Sequence, residues 1–145
     1  LSDVYESLKH IGYQKFIRYM AMEADLEKLL AALKKNGLYT GVATNRTNTM
    51  EKVLEDYHLT AYFDIVMTAA KVKQPKPDPE QLLVIMETLE LKPEELLFIG
   101  DSEYDSQAAE AAKVHFVAFK NDQLTADVHV GSMKALAAVL NIDMK

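Results

Sequence analysis

The sequence predicts an α/β fold, a parallel sheet with helices on both faces. Two observations carry this. Short, wholly apolar runs such as Leu96–Ile99 have the composition of parallel strands covered on both sides. Between such runs lie segments of about 10–15 residues with helical apolar spacing, the pattern of βαβ units. The composition agrees: 49% apolar and 26% charged residues are ordinary for a globular chain of 145 residues, for which one domain is the default.

In order along the chain, residues 3–19 read as helix interrupted by Gly12. Leu26, Leu29, Leu30 and Leu33 fall on one face of a clearer helix, and Asn36-Gly37 supplies its stop. Leu38–Ala43 is a strand ending at Thr44-Asn45. Met50, Val53, Leu54 and Tyr57 return to helical spacing, and Asp64–Met67 is a second strand. Lys71–Pro79 is a loop, because Pro75, Pro77 and Pro79 forbid regular structure. Asp78 caps the following helix, with Pro79 at its first position and Gln81 in a capping-box pattern; Leu82, Ile85, Met86 and Leu89 form its inner face. After the Leu96–Ile99 strand come a small-residue helix at about 103–113, strands at Val114–Phe119 and Val128–Val130, and a last helix from Ser132.

Composition excludes several functions. With no cysteine there is no disulfide framework, thiolate metal site or cysteine nucleophile. A net charge of −6 argues against generic nucleic-acid binding, which needs a basic face. No apolar run approaches the roughly 20 residues of a membrane span, and a cytoplasmic location is expected. His10, His58, His115 and His129 show no metal-ligand spacing; His115 reads as a core or edge residue, and the seven Met and seven Tyr as packing.

Ligands of such sheets bind outside the carboxyl ends of the strands, and three polar groups fall there. They are Thr44-Asn45, Lys76 in the Pro-rich loop, and Gly100-Asp101-Ser102. A hydroxyl, an ammonium and free backbone N–H groups suit a phosphate dianion. A neighbouring aspartate suits a hard cation such as Mg²⁺. Together they point to phosphoryl chemistry. Each has a structural alternative: Thr44 as a cap of the next helix, Lys76 as a solvated charge, Ser102 with Asp105 as a capping box. Asp101, straight after an apolar strand and a glycine, has little structural reason to be there. Lys71 and Lys73 read as solvated loop charges beside Lys76.

Ala43-Thr44-Asn45, Lys76-Pro77-Asp78-Pro79 and Gly100-Asp101-Ser102-Glu103-Tyr104-Asp105 resemble the later motifs of the haloacid dehalogenase-like hydrolases, in particular the phosphoglycolate-phosphatase-like branch. The resemblance runs from about Asp25 to Leu140. It implies a Rossmann-like core and a Mg²⁺-dependent phosphomonoester hydrolase. Thr44 and the backbone of Asn45 would bind the phosphoryl group and Lys76 would neutralise charge. Asp101 would bind the metal, with Asp105 ordering the site from behind and Glu103 a weaker candidate there. The implied substrate is a small phosphorylated metabolite.

The family's opening strand, ending Asp-x-Asp-Gly-Thr and carrying the nucleophile, has no counterpart. Asp3 follows no strand, and Asp25-Leu26-Glu27 opens an amphipathic helix. We expect residues 1–24 to be a helical remnant of a cap or linker, and 25–145 an incomplete core domain. The missing strand is central in the family, between those ending at Thr44 and Gly100. Its absence would leave two buried edges unpaired. The chain is therefore expected to be part of a longer protein, or to have the gap filled by another segment, with self-association through the edges as a further route. Without the nucleophile it is expected to be inactive alone. A non-catalytic phosphate- and metal-binding relative is the alternative.

Overall fold

The computed structural model describes residues 17–145, so the expectations for residues 1–16 lie outside it. Helix α1 spans Leu26–Lys35, followed by strand β1 at Gly41–Thr44, helix α2 at Met50–Asp56 and strand β2 at Ile65–Thr68. Helix α3 covers Glu80–Leu89, strand β3 Leu97–Gly100, helix α4 Glu103–Ala112 and strand β4 His115–Phe119. Strand β5, Val128–Val130, and helix α5, Met133–Val139, complete the order. All strand pairs are parallel, as the alternation of elements predicts. Among the described residues no helix is long and apolar enough to cross a membrane.

The strands form two groups, β1-β2 and β3-β4-β5. Side chains alternate across them as a two-residue period requires. Phe116 and Ala118 of β4 join Leu82 and Met86 of α3 and Ala108, Ala109 and Ala112 of α4. Val117 and Val130 face the other way, onto Leu29 of α1 and Leu136 and Ala137 of α5. Helix α1 also sends Leu30 toward Leu54 of α2 and Val66 of β2. The helices therefore cover both faces, and α1 touches both strand groups.

Sequence and structure part at identifiable places. Leu38 and Tyr39 are exposed, and β1 begins only at Gly41. Gly41 packs so tightly that an added Cβ would lie 2.9 Å from the Ile65 side chain. Asp78 does cap α3, its carboxylate accepting the Glu80 N–H at 2.9 Å. Gln81 forms no capping box. It is wholly buried and donates Nε2 to the Thr44 carbonyl at 2.8 Å, because the start of α3 lies against the ends of β1 and β2. Strand β3 is not covered on both sides as its apolar run implies: Ile99 is 36% exposed.

The exposure of Ile99 follows from the gap between the strand groups. Phe116 exchanges backbone and carboxylate bonds with Asp127, so the residue after it, Val117, turns its backbone to β3. By alternation Leu97 and Ile99 turn theirs away from β4. On β1, Thr40 accepts from Asp64 N–H on the β2 side, which leaves Ala43 facing the opposite way. Among the described residues β1 and β3 are not paired with each other, and neither has a backbone ladder on its second edge.

Candidate functional site

A cleft of about 390 Å³ lies along this gap, lined by Ala43 from β1, Phe98 to Asp101 from β3 and the following turn, and Lys76 and Asp105. It opens at the carboxyl ends of the strands, where the topology places ligands. Lys76, Asp101 and Asp105, distant in sequence, therefore meet at one cleft. Thr44 and Asn45 are not among its walls; they stand one and two residues past Ala43.

Lys76 spans the gap. Its Nζ donates to the Ala43 carbonyl at 2.9 Å and to Asp105 Oδ1 at 2.6 Å. It also lies 5.4 Å from the centre of the Phe98 ring, in cation–π range. The side chains of Lys76 and Asp105 are only 10% and 8% exposed, so Lys76 is no solvated loop charge. Its third N–H has no oxygen acceptor among the described residues.

Asp105 organises the turn. Its Oδ2 accepts from the backbone N–H of Asp101 and of Ser102, each at 3.1 Å, and from the Ser102 hydroxyl at 2.9 Å. Ser102 accepts in return from Asp105 N–H, so the capping box seen in the sequence is present and also builds the site. Burial alone would raise the Asp105 carboxyl. The Lys76 ammonium and the Ser102 donors outweigh it and hold the group below the ordinary carboxylate value. Gly100 has to be glycine here: a Cβ would come within 2.5 Å of the Asp105 carboxyl.

Asp101 is exposed, its N–H held by Asp105 and its carbonyl accepting from Asn121 Nδ2 at 2.9 Å. Both backbone groups being fixed, its carboxylate is carried on a rigid turn. Among the described residues no three His, Asp or Glu side chains gather as a metal cluster. A Mg²⁺ ion bound by one or two carboxylates, with waters and substrate phosphate filling the rest, needs no such cluster. The Asp101 carboxylate fits that mode; Asp105, its oxygens already engaged, fits a supporting place behind it. Glu103 instead accepts from Gln107 on the surface of α4.

Thr44 does not cap α2, which starts at Met50 with Thr49 before it. Its hydroxyl accepts the Arg46 N–H at 3.2 Å in a local turn. Asn45 engages Lys76 through its side chain, donating Nδ2 to the Lys76 carbonyl at 2.8 Å and accepting the Lys76 N–H at 3.1 Å. Three further residues take part that the sequence did not mark as site residues. Asn121 clamps Asp101. Gln81 braces Thr44. Glu23, at the cleft wall, is paired with Lys120 through both carboxylate oxygens at 2.8 Å. For Asn121 and Glu23 the only signal is polarity, which does not separate them from surface residues, and the signal at Gln81 points to a helix cap. Two of the histidines are engaged away from the cleft: His129 bonds the Leu124 carbonyl and His115 faces Asp127.

Residues 2–119 match the family described as haloacid dehalogenase-like hydrolase. The chain is 42% identical over 84 residues to a phosphoglycolate phosphatase from Salmonella choleraesuis, covering 57% of this chain and 33% of that protein. It is similar in structure to a subfamily IA hydrolase from Geobacter sulfurreducens, with a TM-score of 0.86 and 39% identity over 96% of this chain and 65% of the other. A phosphatase from Thermococcus onnurineus, at 23% identity and a TM-score of 0.81, shares the fold over 92% of this chain and 64% of its own. The chain spans less than half the length of the curated relatives it matches. With its motifs gathered at one cleft and most of its length matched, the chain belongs to the haloacid dehalogenase-like hydrolases.

Proposed function

We propose that this chain carries the phosphate- and metal-binding part of a Mg²⁺-dependent phosphomonoester hydrolase acting on a small phosphorylated metabolite. The observation that carries the reading is the meeting of Lys76, Asp105 and Asp101 at one cleft at the carboxyl ends of β1 and β3. The Thr44 hydroxyl and the Asn45 backbone would bind phosphoryl oxygens, and Lys76 would offset their charge through its remaining N–H. Asp101 would hold Mg²⁺, whose contribution when bound is to neutralise charge on the phosphoryl oxygens.

Asp105 is no candidate for the nucleophile, since both its oxygens are engaged. The attacking carboxylate would come from a segment outside residues 17–145, seated as an extended strand between β1 and β3. The second edges of both strands, which carry no backbone ladder among the described residues, support such a place. Self-association through those edges is a further route, and a cytoplasmic setting suits the substrate class. The engagement of Asp105 also favours a second reading, a non-catalytic relative that binds phosphate and metal as a partner module.

The test is Mg²⁺-dependent hydrolysis of a chromogenic phosphate ester by this chain, by a longer chain bearing a strand that ends Asp-x-Asp-Gly-Thr, and by Asp101→Asn in each. Turnover is expected only in the longer chain, and Asp101→Asn abolishes it. Turnover by the present chain that Asp101→Asn removes overturns its inactivity alone. Phosphate binding with no turnover in any chain favours the second reading.

A further inference from the structure

The geometry points to Asn45 as a positioning residue that acts through Lys76, a role carried by its side chain and distinct from any phosphate contact of its backbone. The inference rests on the reading that Lys76 meets a phosphate. Lys76 stands between Pro75 and Pro77, neither of which has a backbone N–H, in a loop with no strand ladder to fix it. Its N–H is therefore the one backbone donor across residues 75–77, and the Pro75 carbonyl is already taken by the Asp78 N–H at 3.1 Å. The Asn45 carboxamide takes both backbone groups of Lys76, donating Nδ2 to the Lys76 carbonyl at 2.8 Å and accepting its N–H at Oδ1 at 3.1 Å. This closed two-bond pair imitates one rung of a β-ladder across 31 residues.

A lysine side chain has a flexible four-carbon stem. The tip of Lys76 is held by the Ala43 carbonyl and Asp105, but those contacts do not fix where the stem begins. Asn45 fixes that root, so the ammonium is held at both ends and keeps one N–H aimed at the cleft. Asn45 itself is exposed, so core packing does not explain it. Its side chain makes no cap to α2. Asp at this position keeps the acceptor for the Lys76 N–H and loses the donor; Ala loses both.

The test is competitive labelling of lysine amines by acetic anhydride in the intact chain, read by peptide mass spectrometry with Lys92 and Lys113 as internal references. Wild type, Asn45→Ala and Asn45→Asp are compared, with and without millimolar inorganic phosphate. Lys76 is expected to label about tenfold faster in Asn45→Ala, the scale of two modest hydrogen bonds lost, and at an intermediate rate in Asn45→Asp. The reference lysines should be unchanged, which reports an intact fold. Phosphate should protect Lys76 in wild type and much less in Asn45→Ala. Unchanged Lys76 labelling in Asn45→Ala, or full phosphate protection there, overturns the inference. If phosphate gives wild type no protection while Asn45→Ala still labels faster, positioning by Asn45 stands and the phosphate reading fails.

Discussion

The Lys76 ammonium lies 2.6 Å from Asp105 Oδ1 across the gap between two strand groups, each side chain about nine-tenths buried. Removing one member of such a pair leaves a buried charge without its counterion, at a cost of about 3–5 kcal/mol. Lys76→Met and Asp105→Leu should each lose on that order in urea denaturation. The double variant should recover part of the loss, since apolar groups of similar size replace the pair. Two losses that simply add would show that the pair is not coupled.

Gly100→Ala should damage the site and the fold together. A Cβ there would overlap the Asp105 carboxyl, which is pinned by Lys76 and Ser102 and has nowhere to move. We expect about 1–3 kcal/mol of destabilisation, in the range of overpacking, together with loss of whatever phosphate or metal affinity the wild type shows. An alanine variant with native melting and native ligand affinity would contradict the contact.

Acid should weaken the molecule through Asp64. Its carboxylate accepts from Lys34 Nζ and from the Thr40 N–H at 2.8 Å, and these hold it below its ordinary value of 3.8. The native state therefore gives up this proton more readily than the unfolded chain. The stabilisation is fully present above the unfolded value, and it is lost as pH falls below about 3.8 toward the native one. Asp64→Asn should lower stability at neutral pH and flatten this part of the acid limb in denaturation measured from pH 7 to pH 2. An unchanged limb would assign the acid sensitivity elsewhere.

Gln81→Leu probes the brace beneath Thr44. The Thr44 carbonyl loses a buried donor, which costs about 1–3 kcal/mol. Against this, Gln81 Oε1 has no hydrogen-bond partner among the described residues, and its removal offsets part of the loss. A modest net destabilisation of about 1 kcal/mol in urea is expected. A gain in stability would mean that the orphaned oxygen outweighs the bond.

The element order was legible because apolar runs and helical spacing obey the geometry of strands and helices directly. Val128–Val130 and the Ser132 cap of α5 fall where the spacing puts them. Thr44 and Asp101 were legible as candidate site residues because parallel strands deliver their carboxyl ends to one edge, and Lys76 because its loop opens the next helix there. Other features depend on contacts between distant segments. Gln81 matches a local capping pattern, yet the approach of β1 turns it inward. The amide pairs made by Asn45 and Asn121 follow from where loops cross. The exposure of Ile99 could not be read from its own apolar run, because it depends on what stands beside β3.

Helix α1 sets Leu29 against Val117 and Leu136 and the next residue, Leu30, against Leu54 and Leu59. One turn of helix thus belongs to two cores at once. Although among the described residues no ladder joins β1 to β3, neither strand group can come away without uncovering a leucine of the same rigid rod. The two groups should consequently melt in a single transition, and anything wedged between β1 and β3 would be felt at α2 and α5 through that shared turn.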